Sequence, residues 1–167
     1  MSYLKDTVVI GTVGAGYAAH LHASGYEKVN KVKVRLKTVC DLNQNLAQEL
    51  KEQYGYENIT ANYNDLLNDP EIDVVDIITP PFTHCDLAIK ALRAGKHVIV
   101  EKPLTGYFGK KGEQNVGLTT KRSVMYEEVL RSMDELRKKR KEVHVCGEPC
   151  LCNACTKSCR DPSSAKE

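Results

Sequence analysis

Gly14-x-Gly16-x-x-Ala19 is the first group of residues here whose types and spacing could do chemistry. A turn of this kind, opening a helix, lets the backbone approach a pyrophosphate and aims helix N–H groups at it. Gly14 and Gly16, with Tyr17 and Ala18 at the start of the helix, would line that anion. Small Ala19 permits close helix–sheet packing where a third glycine would otherwise stand. Asp41 supplies a carboxylate where an acidic side chain accepts hydrogen bonds from the ribose hydroxyls of a dinucleotide. The plain alternative is a tight structural turn and a solvated aspartate. A second group is Glu101-Lys102-Pro103. A lysine between a parallel strand and a proline points into the crevice where ligands bind. Burial beside a cationic ring would favour its neutral form and fit it for proton exchange with a hydroxyl. A surface lysine ending an ordinary strand is the commoner fate. A third group is the stretch CGEPCLCNACTKSC, Cys146 to Cys159, which holds five of the seven cysteines. Cys152-x-x-Cys155, with Cys150, Cys159 and His144 nearby, could hold a soft metal such as zinc, although no second pair stands at zinc-ribbon distance. Cys40 and Cys85 read as small buried hydrophobes rather than nucleophiles. His20 and His22 read as helix residues packing on a sheet or facing solvent.

The elements that must position these groups follow from the hydropathy pattern. DTVVIGTVGAG is a buried strand running into the glycine turn, and YAAHLHASGY continues as a helix. KVKVRLKTVCD alternates at Val32, Val34 and Leu36 and ends on Asp41, which suits a strand. NQNLAQELKEQYG places Leu46, Leu50 and Tyr54 on one helical face, with Gly55 as the stop. NYNDLLNDP is a short helical turn closed by Pro70, and DVVDIITPP a buried strand broken by Pro80 and Pro81. THCDLAIKALRAG is a helix with Leu87, Ala88, Ala91 and Leu92 inward. KHVIVEKP is a further strand. Residues 106–120 have no periodicity and read as a loop. KRSVMYEEVLRSMDEL restores a helix with Met125, Val129, Met133 and Leu136 on one face. Strands alternating with helices predict an α/β fold, a doubly wound parallel sheet covered on both faces.

GAGYAAHLH, CDLN, DVVDIITPPFTH and LRAGKHVIVEKPLT occur in order and at the right separations to resemble the cofactor domain of the glucose–fructose oxidoreductase / myo-inositol dehydrogenase (Gfo/Idh/MocA) family. The resemblance covers about residues 5 to 136. It implies a Rossmann-type domain of an NAD(P)-dependent oxidoreductase moving hydride to or from a sugar or polyol. It implies that Lys102 contacts the reacting hydroxyl or carbonyl beside the nicotinamide. Thr79 and Pro80 would lie against the cofactor with His84 nearby, and Glu101 near the nicotinamide ribose. Asp41 and the following LNQN, which offers no arginine, point to NAD over NADP. Family members continue into a second domain that builds the substrate pocket, and nothing after Leu136 reads as that domain. The expectation is therefore cofactor binding without turnover by this chain, and self-association through the surface a second domain would cover.

The 167 residues, 41% hydrophobic, suit one domain with a real core, 1–136, followed by a basic and cysteine-rich tail, 137–167. A net charge of +2 excludes the clear basic excess of a dedicated nucleic-acid binder. The N-terminus has neither a signal peptide nor a membrane span, so a cytoplasmic setting is expected, where a disulfide knot is disfavoured. RKKRK is A-rich at the codon level, a natural place for a reading-frame slip. Read one base later, every cysteine codon becomes an alanine or valine codon. On that reading the tail is non-native, its cysteines have no evolved role and no metal is bound. The alternative is a stand-alone dinucleotide-binding or sensing module with a zinc-binding tail.

Overall fold

Two of the α-helices in the first half of the chain start at a side-chain cap and one does not. The computed structural model describes residues 6–109, 113, 116–138 and 143–145. In it Asn43 caps helix α2 (Gln44–Tyr54), its side chain accepting from the Asn45 N–H, and Gly55 ends it at φ 74°. Asn62 caps α3 (Tyr63–Asn68) in the same way, through the Asn64 N–H. Helix α1 (Tyr17–Tyr26) starts at Gly16 with no side-chain cap and no acidic residue in its first turn. Side-chain oxygens at an N-cap satisfy N–H groups that the helix leaves unpaired, so α1 alone of these keeps its first-turn donors for another acceptor.

The strands are β1 (Thr7–Val13), β2 (Lys33–Cys40), β3 (Asn58–Thr60), β4 (Val74–Ile77), β5 (His97–Val100) and β6 (Val143–Val145). They form one six-stranded sheet in the order β3-β2-β1-β4-β5-β6. Every pairing is parallel. The chain winds outward from β1 to β3, then returns to the other side of β1 and winds outward again from β4. That reversal makes a switch point between β1 and β4, where doubly wound sheets open a crevice at the carboxyl ends of the strands. The fold is the α/β Rossmann type that the alternation of elements predicts. β6 falls within the segment expected to be tail, and its backbone pairs with β5 at the sheet edge.

Two cores cover the two faces. One gathers Val9, Val13, Val75, Ile77, Val98 and Val100 from the sheet with Leu66, Ala88, Ala91, Leu92 and Leu136 from α3, α4 (His84–Arg93) and α6 (Arg122–Arg137). The other packs Ala19, Ala23, Ala47 and Leu50 of α1 and α2 onto Val39 and Ile78. Alanines at the α1 contact let that helix lie close on the sheet, which fixes the turn before it. Two sequence expectations change in detail. Leu46 is 38% exposed while Ala47 is fully buried, because the smaller residue lies on the line through Leu50 that faces the sheet. The segment 106–120 contains a short helix, α5 (Val116–Thr119). The cysteine stretch Cys146–Cys159 and the rest of the tail beyond it lie outside the described residues. Among the described residues no helix is long and apolar enough to cross a membrane.

Candidate cofactor site

Backbone hydrogen bonds lace the carboxyl ends of the strands into one rim. The Asp41 N–H donates to Thr60 O (3.1 Å), Gly14 to Cys40 O (2.8 Å), Ile78 to Val13 O (2.8 Å) and Glu101 to Ile77 O (3.0 Å). Asp41, Gly14, Thr79 and Glu101, scattered in sequence, therefore stand in a row across the switch point.

The two glycines of the turn do different things. Gly14 has φ 96°, and a Cβ there would lie 2.3 Å from Ile78 O. No side chain fits, so this glycine lets the turn close against the end of β4. A Cβ on Gly16 would meet nothing within 4 Å. The space in front of it is open, and the uncapped first turn of α1, with Tyr17 and Ala18, faces outward beside it. Tyr17 is 82% exposed and Ala18 packs against the α1–α2 core. Asp41 orients the turn from the other side. Its carboxylate accepts from the Ala15 N–H (2.7 Å) and the Asn43 N–H (2.7 Å). Unpaired helix donors for an anion, a carboxylate for hydroxyls and open room over a glycine are what a dinucleotide needs, so the residues fit that group.

On the other side of the switch point the site is held by histidines. His84 is 1% exposed. Its Nε2 meets Thr79 O at 2.7 Å and its Nδ1 meets Pro103 O at 2.9 Å. It thus joins the Thr79–Pro80 turn to the loop after β5. The Thr79 and Thr83 hydroxyls are 2.6 Å apart, and Pro80 is exposed. The Lys102–Pro103 peptide is cis, and the Lys102 side chain is exposed.

His22 departs from the expectation of an ordinary helix residue. Its Nδ1 donates to Asp76 Oδ2 (3.0 Å) and its Nε2 to Glu101 Oε1 (3.0 Å). The Tyr26 hydroxyl donates to the same Asp76 oxygen at 2.7 Å. Asp76 is fully buried in β4, opposite Thr12 of β1, whose hydroxyl is 2.8 Å from that of Tyr56. The hydrogen bond to Asp76 is the main cause that pushes the His22 pKa up to about 9, with help from the charges of Asp76 and Glu101 and against the effect of burial. One signal in the sequence could have revealed this network. Asp76 interrupts the apolar run of a buried strand, and a buried carboxylate needs donors. Cys40 and Cys85 sit as small apolar residues in or against the core. Cys40 is buried, and burial first, then the nearby charge of Asp41, pushes its thiol up to about 11. Burial likewise raises Cys85.

The fold and rim define a doubly wound dinucleotide-binding domain. The profile of the Gfo/Idh/MocA oxidoreductase family, NAD-binding Rossmann fold, matches residues 8–145, and the chain belongs to that family. The levoglucosan dehydrogenase of Pseudarthrobacter phenanthrenivorans is 37% identical over 102 residues, which are 57% of this chain and 26% of that protein. The myo-inositol 2-dehydrogenase of Thermotoga maritima is 31% identical over 96 residues, 58% of this chain and 28% of that protein. Among solved structures, a levoglucosan dehydrogenase in complex with NADH and levoglucosan superposes with a TM-score of 0.60 at 28% identity, over 83% of this chain and 34% of that one. The chain thus spans about a quarter to a third of the length of the proteins it matches.

Proposed function

We propose that this chain binds NAD(H) as the cofactor-holding part of an oxidoreductase acting on a sugar or polyol. The observation that carries the reading is the uncapped α1 terminus with open space over Gly16, beside Asp41 at the switch point. The N–H groups of Gly16, Tyr17 and Ala18 would take the pyrophosphate, Gly14 shaping the turn. Asp41 would accept from the adenosine ribose hydroxyls and repel a 2′-phosphate, which favours NAD over NADP. Thr79 and Pro80 would lie beside the nicotinamide and Glu101 near its ribose. When bound, the cofactor supplies the hydride acceptor or donor. Lys102, exposed at the end of β5, would exchange a proton with the substrate hydroxyl or carbonyl. The names of the relatives support a sugar or inositol as substrate. Turnover would further require groups that orient the substrate against Lys102. A cytoplasmic setting and self-association belong to the same reading. Tyr126 and Leu130, one turn apart on α6, give the latter an exposed apolar surface.

Fluorescence titration with NADH and NADPH tests the core of it. The expected result is saturable NADH binding, tighter than NADPH by about tenfold, the equivalent of about 1.4 kcal/mol. Tighter NADPH binding removes the role of Asp41, and binding of neither removes the proposal.

A further inference from the structure

Lys102 sits between two residues that histidines from different helices hold in place. On its N-terminal side is Glu101. One oxygen of that carboxylate, Oε1, accepts from His22 Nε2 of α1 at 3.0 Å, and the other, Oε2, accepts from the Lys102 N–H itself at 3.1 Å. On its C-terminal side is Pro103, whose carbonyl meets His84 Nδ1 of α4 at 2.9 Å. Both imidazoles are anchored at their far nitrogens. His22 is tied to Asp76, fully buried in β4, and His84 to Thr79 O, two residues past the end of the same strand. The side chain of Lys102 is exposed, so apolar packing does little to place it. Its backbone is instead held on both flanks by imidazoles that share β4 as their base. We infer that His22 and His84 are positioning residues that together set where Lys102 stands relative to the nicotinamide end of the cofactor.

Two physical points support this. A buried ion cluster such as Asp76–His22–Glu101 is costly to desolvate and often no more stabilising than an apolar replacement. Its geometric effect here is specific. α1 carries the phosphate-binding turn at its N-terminus and reaches Glu101 through His22, so one helix relates the turn to Lys102. The α4 bond relates the Thr79–Pro80 turn to the same lysine. A positioned proton donor loses much of its effect when displaced by about 1 Å, which gives such bonds a consequence for chemistry.

The inference rests on the cofactor reading above, and its test separates the two. The full chain is labelled with 15N and 13C, and His22→Gln, His84→Gln and Glu101→Gln are compared with it by amide NMR and by titration with NADH and with ADP. Glu101→Gln keeps the buried Asp76–His22 pair and serves if either histidine variant does not fold. In each folded variant the Lys102 amide resonance is expected to shift or broaden. NADH affinity is expected to fall about tenfold while ADP affinity stays within about twofold, because Glu101 and the Thr79–Pro80 turn, which would flank the nicotinamide, shift along with the Lys102 main chain. An unmoved Lys102 amide overturns the inference. So does a parallel loss of NADH and ADP affinity, which would mark a purely structural role. If the unsubstituted chain binds neither nucleotide, the cofactor reading fails while the NMR comparison still decides whether the histidines hold Lys102.

Discussion

The two sides of the switch point are built by different means. On the turn side, placement is mostly backbone: Gly14 N–H on Cys40 O and a glycine in a conformation only glycine adopts easily, with the Asp41 carboxylate, accepting from Ala15 N–H, the side chain that helps. On the lysine side, side chains of His22 and His84 reach across elements to fix Glu101 and Pro103. The difference fits the chemistry each side would do. An anion bound by N–H groups tolerates any sequence that shapes the turn, so backbone suffices. A lysine exchanging a proton must have its own main chain located, which calls for directional bonds to named atoms.

The largest expected effect tests the turn side. Gly14→Ala is expected to destabilise the fold by about 3 kcal/mol, from a φ of 96° and a Cβ placed against Ile78 O. Gly16 has φ −79° and open space, so Gly16→Val should leave stability nearly unchanged yet weaken NADH binding by about tenfold or more through overlap with the ligand. Urea denaturation paired with NADH titration reads both. Equal stability losses for the two variants would erase the distinction between a structural and a ligand-facing glycine.

A middle-sized effect tests the lysine side. The pKa of His22 is raised from 6.5 to about 9 in the folded chain, chiefly by the hydrogen bond to Asp76. Its contribution to stability is therefore complete below about pH 6.5, erodes as the pH climbs and is gone above about pH 9. The amount is about 2 kcal/mol once solvent screening is allowed for. Thermal melts between pH 6 and 10 should show this loss, and His22→Gln should remove it from the profile. A wild-type profile that is flat through pH 9 would mean the Asp76–His22–Glu101 cluster does not hold the ring charged.

The same division explains what the sequence disclosed. The turn is local: Gly14, Gly16 and the helix they open lie within a few residues, and the period of the strands announced where they must sit. The parallel, doubly wound character of the sheet followed from alternation of elements and right-handed crossovers. β3 was not legible, because Asn58–Thr60 is three residues long and has no alternation of its own. The carboxylate network was not legible either. His22 meets Asp76 across 54 positions and Glu101 across 79, and no periodicity encodes a pairing at that range. His84 meets Thr79 O and Pro103 O through its ring, beside the turn its motif implies, and only the packed structure reveals that second partner, 19 positions away.

The smallest expected effect is none. Lys102 is exposed, so Lys102→Ala should leave stability within about 0.5 kcal/mol of the unsubstituted chain. NADH affinity should also change little, because the turn side would supply most of the anion contacts. Offered NAD and a panel of sugars and inositols, the chain should form no NADH above background, with or without the substitution. Orienting a reactant beside a catalytic group can supply as much as about 7–11 kcal/mol of barrier reduction, and a placed lysine main chain does not by itself orient the substrate. Absorbance at the NADH band over long incubations is the measurement. NADH production that Lys102→Ala abolishes would show that the lysine side, as held by His22 and His84, is sufficient for catalysis without further substrate-positioning groups. The contrast between a side that binds and a side that waits for its substrate would then no longer hold.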